Sequence, residues 1–283
     1  MPADGLTALP TFWELRAPIE WTDIDFISDL HLSHDTPRTF DAFAAHLQHT
    51  DAQAVFIVGD LFEVWVGDDA RHSGFEARCC EVLAESASRR SVAFMSGNRD
   101  FLVGAAMLKA CGLMALSDPT VVEAFGERIL LVHGDALCLS DVEYQGFRRK
   151  VRSEAWQRDF LARPLAERRR LARQIRDESQ RVKLTQSAGD WFDVDTATAV
   201  RWMHEAGTPT LIHGHTHRPA TQAMAPGFVR WVLSDWDLDP GDAASATAPR
   251  AEVLRWRRGG LRRVPPTLHA APIAAPLAPP GAA

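Results

Sequence analysis

Short apolar runs alternate with polar clusters along most of the chain. The runs read IDFIS, AVFIV, VAFMS, RILLV and TLI, and each has the length of a β-strand. A strand that is buried on both faces of a sheet appears as a short, continuous apolar stretch. The runs therefore predict buried strands, and the helical stretches between them indicate an α/β fold.

A polar cluster follows each of these runs. The clusters read DLH, GD, GN, HGD and GHTH. In an open α/β sheet, ligands bind beyond the carboxyl ends of the strands, so we expect the clusters to meet in one place. The side chains that could bind a metal there are Asp29, His31, Asp60, Asn98, His133, His215 and His217.

The types of ligand limit which metal ions the site is expected to bind. Two carboxylates, four imidazoles and one amide suit Mn, Fe, Zn or Ni better than Mg, Ca or an iron–sulfur cluster. Seven ligands exceed the needs of one tetrahedral ion and fit two ions that share a carboxylate. Two ions about 3.5–4 Å apart can generate hydroxide and hold both oxygens of a phosphoryl displacement. Asp60 is the expected bridge, because its cluster lies between the others in the sequence.

The order of the clusters resembles a known family. D-x-H, G-D, G-N-R-D, H-G-D and G-H-T-H follow one another over about residues 23 to 237, as in calcineurin-like metallophosphoesterases. The resemblance implies a β-sandwich flanked by helices, with a helical cap inserted. It also implies one ion held by Asp29, His31, Asp60 and His217, and a second held by Asp60, Asn98, His133 and His215.

Longer segments resemble one branch of that family, the UDP-2,3-diacylglucosamine diphosphatases. These segments are FISDLHLS, VGDLFEVWVGDD, SGNRDFLVG, HGDALCLSDVEYQGFRR and IHGHTHRPA. The resemblance implies hydrolysis of the pyrophosphate of a UDP-linked acylated glucosamine in lipid A biosynthesis. Two manganese ions would activate the hydroxide that attacks the α-phosphorus, and the products would be UMP and the diacylglucosamine 1-phosphate.

Further residues have expected roles in catalysis and substrate binding. Arg99 can form a bidentate contact with phosphate oxygens, although a surface salt bridge with Asp100 is the alternative. His31 is a candidate for protonating the leaving group. The resemblance implies substrate contacts at Asn98, Arg99, Asp141, Ser179, Lys183 and His215. Gln186 stands where the family often has a further lysine.

A basic helical cap is predicted at about residues 140–200. We expect two helices, over 143–162 and 164–184, and the stretch 148–183 has thirteen Lys and Arg against five Asp and Glu in a chain of net charge −6. The charge fits a solvated helix face, a nucleic-acid contact or attraction to an anionic bilayer. We favour the bilayer, with Trp156, Phe160 and Leu161 dipping into it, because the implied substrate carries acyl chains. No nucleic-acid partner is expected.

The remaining sequence suggests how the chain is organised. We expect residues 1–20 to form a leader strand or loose arm, residues 21–262 the catalytic domain, and residues 263–283 a disordered Pro/Ala-rich tail. The sequence has no run of eighteen apolar residues, no signal-peptide pattern and no metal or redox spacing among its four cysteines. These features favour a cytoplasmic enzyme, and the basic cap and the acylated substrate favour a position at the inner-membrane surface. No obligate protein partner is inferred.

Two other functions stay open at this point. One is a metallophosphoesterase that acts on nucleotides or phosphoproteins, and the other is a scaffold of the same fold without enzymatic activity. A basic cap with apolar residues argues against a small soluble substrate. A scaffold is expected to have lost metal ligands, whereas this sequence retains all of them.

Overall fold

Two six-stranded β-sheets form the centre of the molecule. The structure is a computed structural model that describes residues 9–185, 192–239 and 249–269. For residues 177–185 it describes the backbone alone. The first sheet has the order β1 (Trp13–Arg16), β6 (Thr120–Ala124), β7 (Glu127–Leu131), β8 (Thr210–His213), β10 (Phe228–Val232) and β9 (Ala220–Ala225). The second has the order β12 (Gly260–Val264), β11 (Val253–Arg257), β2 (Asp23–Ile27), β3 (Ala54–Val58), β4 (Ser91–Met95) and β5 (Met114–Leu116). The five predicted strands are β2, β3, β4, β7 and β8.

The central strands direct alternate side chains to opposite faces of their sheet. On β3, Phe56 points into the space between the sheets, where it joins Leu131 and Ile212 of the other sheet in one apolar cluster. Its neighbour Ile57 points the other way, toward the outer helices. Because both faces are covered, the strands are apolar without interruption, and the predicted sandwich is confirmed.

Helices cover the outer faces of both sheets. The second sheet is covered by α1 (Pro37–His49), α2 (Gly74–Ala87) and α3 (Ala105–Cys111), and the first by α7 (Thr196–Glu205). Asp195 starts α7 by accepting a hydrogen bond from the Thr198 N–H at 2.8 Å. Although α7 begins inside the range predicted for the cap, its buried Trp202 packs on the sheet.

Three helices, rather than two, form the cap. They are α4 (Val142–Val151), α5 (Glu154–Leu161) and α6 (Leu165–Thr185). The helix predicted over 143–162 is interrupted at Ser153, whose backbone is extended and whose side chain accepts the Trp156 N–H at 3.4 Å. Serine competes for backbone hydrogen bonds in this way and favours a helix start, which periodicity alone does not detect.

Basic side chains of the cap dock it onto the domain. Arg168 is only 3% exposed, donates to the Val66 carbonyl oxygen and pairs with Asp69. Its neighbour Arg169 lies 3.2 Å from Glu76 on α2. Part of the positive charge that the sequence suggested for a membrane surface therefore holds the cap in place.

A second docking point lies at Asp135, just after the predicted ligand His133. The Asp135 carboxylate accepts hydrogen bonds from the Tyr144 hydroxyl at 2.6 Å and from Arg148 Nε at 2.8 Å, both on α4. Arg152 donates to the Gly97 carbonyl oxygen at 2.8 Å. The cap is thus tied to the loops that carry the candidate metal site.

The aromatic residues of α5 pack inward. The rings of Trp156 and Phe160 are stacked 4.8 Å apart, Phe160 is buried, and both contact the apolar cluster under the cap. This corrects the expectation that they dip into a bilayer. Leu161 alone of the three is exposed, at 41%.

The ends of the domain differ in detail from the prediction. Residues 13–16 form β1, which pairs in parallel with β6, so this part of the N-terminal segment is a strand. Strand β12 runs to Val264, past the boundary predicted at 262, and most of the predicted tail (270–283) lies outside the described residues. Within the described part, no helix is long and apolar enough to cross a membrane.

Candidate metal centre

The loops after five strands bring the predicted ligands together. Asp29 and His31 follow β2, Asp60 follows β3, Asn98 follows β4, His133 follows β7, and His215 and His217 follow β8. Two groups have ligand atoms within 4.8 Å of one another: Asp29, His31 and His217, and Asp29, Asp60 and His133. Because Asp29 belongs to both groups, the bridging role of Asp60 stays a prediction.

One end of the cluster is built around Asp29. His31 Nε2 and His217 Nε2 lie 3.2 Å apart, and His217 Nε2 lies 3.4 Å from Asp29 Oδ1. Asp29 Oδ1 is buried and accepts no hydrogen bond from the described residues. A bare carboxylate oxygen in the interior is costly unless a cation or donor neutralises it, so this atom fits a divalent metal ion.

The other end is built around Asn98. Its Oδ1 lies 3.1 Å from His133 Nε2 and 2.8 Å from His215 Nδ1. His133 Nε2 also lies 3.7 Å from Asp60 Oδ1. Amide oxygen, imidazole nitrogen and carboxylate oxygen thus face one another, which is a donor set that suits transition-metal ions.

The backbone at the ligands adopts a rarely used conformation. In the described part of the chain, six non-glycine residues have positive φ, and five of them are predicted ligands: Asp29 (55°), His31 (48°), Asp60 (54°), His215 (66°) and His217 (52°). Each such residue costs on the order of 1 kcal/mol or more, and such strain clusters at functional sites. The strain arises because each of these side chains turns sharply toward a common centre at the end of its strand.

Two of the motif glycines are required by close packing around the ligands. A Cβ atom on Gly97 would lie 2.1 Å from Asp60 Oδ1, and one on Gly59 would lie 2.3 Å from His133 Nδ1. Gly59 also has a φ of +86°. Any larger residue at either position would displace a ligand, which explains the glycine in the GD and GN clusters.

Partners behind the imidazoles fix their orientation. His133 Nδ1 lies 3.0 Å from the Val58 carbonyl oxygen, so it carries the proton and leaves Nε2 free to bind a metal. Carboxylates face two of the other three rings: Glu63 Oε2 lies 3.0 Å from His31 Nδ1, and Asp235 Oδ2 lies 3.4 Å from His217 Nδ1.

The sequence predicts no role for Glu63 or Asp235. Both contact residues far away in the sequence, so spacing could not reveal them. The signals that were available are their positions in VGDLFEVWVGDD and in SDWD after β10.

A surface salt bridge between Arg99 and Asp100 was the alternative expectation, but each of these side chains contacts other residues. The buried Asp100 carboxylate accepts the Gly97 N–H and the Leu61 N–H, each at 2.7 Å, and so ties two ligand loops together. Arg99 Nη1 instead lies 3.6 Å from Glu63 Oε1. Arg99 also lines a cavity next to the ligands, and its contact with phosphate stays a prediction.

The carboxylates create a strong negative potential at the centre. Burial opposes protonation of His133, but the charges of Asp60 and Asp29 raise its pKa to about 9. Burial likewise opposes protonation of His217, but its contacts with Asp235 and Asp29 raise its pKa to about 10. The same potential attracts cations, so it supports the assignment of this cluster as a metal centre.

The other predicted substrate residues lie under the cap or in it. Asp141 caps α4 by accepting the Tyr144 N–H at 2.9 Å, and it lines the same cavity as Asn98, Arg99 and His215. Ser179 and Lys183 fall on the distal part of α6, where the side chains lie outside the described structure, and Gln186 lies outside it altogether. Their substrate contacts stay predictions.

The raised pKa values predict proton release on metal binding. Without a metal ion, His133 and His217 are protonated at pH 7, because their pKa values are about 9 and about 10. A ligand imidazole must be neutral, so Mn²⁺ should displace about two protons at pH 7 and bind more tightly as the pH rises toward 9. Titration calorimetry in buffers of different ionisation enthalpy measures this release. The exposed His34→Ala variant should behave as wild type, and binding without proton release would contradict the assignment.

Known proteins carry the same pattern. The family model for calcineurin-like phosphoesterases matches residues 22–219. Proteins named UDP-2,3-diacylglucosamine hydrolase are similar over nearly their whole length. The one from Chromobacterium violaceum is 47% identical, over 86% of this chain and 98% of the relative. The one from Aromatoleum aromaticum is 42% identical, over 83% of this chain and 93% of the relative. The one from Ralstonia nicotianae is 41% identical, over 91% of this chain and 98% of the relative. The chain therefore belongs to the calcineurin-like phosphoesterase family.

Proposed function

We propose that the protein hydrolyses the pyrophosphate bond of UDP-2,3-diacylglucosamine, releasing UMP and 2,3-diacylglucosamine 1-phosphate for lipid A biosynthesis. The names of its relatives support this substrate. The observation that carries the proposal is a cavity that joins the metal centre to an apolar chamber under the cap. Such a shape fits a molecule with a charged diphosphate at one end and acyl chains at the other.

The cavity has a volume of about 680 Å³ and a lining of two chemical kinds. Its polar lining includes Asn98, Arg99, His215 and His217. Its apolar lining comes from the domain and the cap and includes Trp65, Phe101, Phe147, Trp156, Phe160 and Ile175. We infer that these two sets form the polar end and the apolar end of the site. Burying acyl chains there contributes about 0.8 kcal/mol per CH₂ group.

The polar end can hold and orient a diphosphate. The Arg99 guanidinium is positioned to bind non-bridging oxygens and to stabilise the charge that develops on phosphorus. Both ring nitrogens of His31 face partners, Nε2 the ligand cluster and Nδ1 Glu63. This arrangement favours His31 as a ligand over His31 as the acid that protonates the leaving group.

The metal ions are part of the proposal. The seven ligands fit two divalent ions, and we propose manganese because nitrogen and oxygen donors are mixed and thiolates are absent among them. Bound ions supply Lewis-acid polarisation of the phosphate oxygens and activation of water. The protein orients the substrate around them and excludes bulk water through the docked cap.

Neither alternative function has a feature of the site that favours it. A nucleotide or a phosphorylated side chain would leave the apolar chamber unfilled. A scaffold would not need backbone strain at five ligand positions.

The bond that is cleaved can be tested directly. With Mn²⁺, the wild type should convert UDP-2,3-diacylglucosamine to UMP, and in ¹⁸O-labelled water the label should enter UMP, because attack is expected at the phosphorus next to uridine. Mass spectrometry of the products reads out the label. Label in the sugar 1-phosphate alone would show attack at the other phosphorus.

A metal-ligand variant and a substrate without acyl chains test the roles of the metal centre and of the apolar chamber separately. Asp60→Ala should lower the rate by one to several orders of magnitude, whereas Asp41→Ala, exposed on α1, should have no effect. UDP-glucosamine without acyl chains should lose more than about tenfold in kcat/KM, since each buried CH₂ contributes about 0.8 kcal/mol. Equal turnover of acylated and deacylated substrates would contradict the role of the chamber.

We also propose that the cap contacts an anionic membrane surface, where a diacylated substrate resides. The buried or paired arginines Arg168 and Arg169 cannot serve this contact. Exposed cations of the cap can, and among those in the described residues are Arg149, Lys150, Arg170 and Arg173. Each basic residue near such a surface contributes about 1 kcal/mol.

Vesicle binding tests the membrane contact. Replacing those four exposed cations with Gln should weaken binding to anionic vesicles by more than about tenfold and reduce its salt dependence. The charge-matched control replaces exposed cations outside the cap: Arg38, Arg89, Lys109 and Arg258. If both quadruple variants bind anionic vesicles equally well, the cap charge is only a solvated helix face.

A further inference from the structure

One carboxylate joins the metal ligands to the cap. Glu63 lies beyond β3, in the segment VGDLFEVWVGDD, and its side chain is only 12% exposed. Its Oε2 lies 3.0 Å from His31 Nδ1. Its Oε1 lies 2.9 Å from Arg176 Nε on α6 and 3.6 Å from Arg99 Nη1. A ligand imidazole, a candidate phosphate-binding arginine and a cap arginine therefore share one carboxylate.

The backbone around Glu63 is held on both sides. The Glu63 N–H donates to the Leu32 carbonyl oxygen at 3.1 Å, next to the His31 position. Two residues on, the Trp65 N–H donates to the Arg99 carbonyl oxygen, also at 3.1 Å. The backbone that carries Glu63 is thus fixed relative to both residues that its side chain contacts in the domain, as pre-organisation of a site requires.

The charge of Glu63 compensates two arginines that would otherwise repel each other. The Glu63 carboxylate lies within 4 Å of both guanidinium groups, 2.9 Å from Arg176 Nε and 3.6 Å from Arg99 Nη1. Without it, Arg99 and Arg176 would face each other with no anion between them.

We propose that Glu63 is a positioning residue: it holds His31 with Nε2 directed at the metal centre and holds Arg99 and the cap helix α6 in register with that centre. This role deepens the proposed function and rests on it for turnover, but not for metal binding. A carboxylate behind a ligand histidine fixes the tautomer and ring orientation and raises the basicity of the ligand.

The protein offers a matched control for a purely structural role. Glu76 also pairs with an arginine of α6, Arg169, at 3.2 Å, but it is not among the residues around His31 or Arg99. Glu63→Gln and Glu76→Gln are therefore the same chemical change at two contacts between the domain and the same helix. Only Glu63→Gln removes a charge behind a metal ligand.

The test is titration of metal-free protein with Mn²⁺, followed by steady-state kinetics on the diphosphate. Thermal unfolding without metal first establishes that each variant is folded. We expect Glu63→Gln to weaken Mn²⁺ affinity by about 10–100-fold and to lower kcat by a similar factor. Glu76→Gln should keep wild-type Mn²⁺ affinity and kcat. Arg176→Gln, which leaves the contact between Glu63 and His31, should also keep wild-type Mn²⁺ affinity.

The metal titration decides the outcome. Unchanged Mn²⁺ affinity in Glu63→Gln overturns the proposal, whatever happens to turnover, because the carboxylate would then only dock the cap. Failure of the wild type to cleave the diphosphate would count against the proposed function alone, since the titration needs no substrate.

Discussion

Two buried carboxylates, Asp29 and Asp60, are the constraint on which the site depends. Their charges lie at the ends of neighbouring parallel strands, where burial opposes ionisation. Burial works against the charged form of Asp29. The nearby imidazoles of His217, His133 and His31 outweigh this effect and hold the pKa of Asp29 well below its usual range. The sandwich, the motif glycines and the strained turns all serve to bring these groups together.

The cap shows how overall charge can mislead about function. From the sequence, its excess of arginine suggested a surface directed at a membrane. In the structure, Arg168 is buried against the domain, and Arg148 and Arg152 are tied to the loops of the metal centre. These contacts hold the cap over the apolar cavity, so part of the positive charge docks the cap, and the exposed cations are left for the proposed membrane contact.

Much of the fold and the site could be predicted because the signals are local. Strands buried on both faces read as apolar runs, and ligands follow them within a few residues. The partners of the ligands could not be predicted in this way, because Asp235 meets His217 and Asp100 meets the Leu61 loop only after folding. The helix break at Ser153 was missed for a different reason: a single capping hydrogen bond outweighs the helical periodicity around it.

We propose that five strand ends assemble one centre for two ions. A crystal structure of the Mn²⁺-loaded protein, with anomalous diffraction recorded at the manganese edge, would reveal the number and positions of the ions. We expect two anomalous peaks roughly 3.5–4 Å apart, as in other two-metal sites, with Asp60 contacting both and with Asn98 and His31 on different ions. A single peak, or two peaks that share no carboxylate, would refute this arrangement.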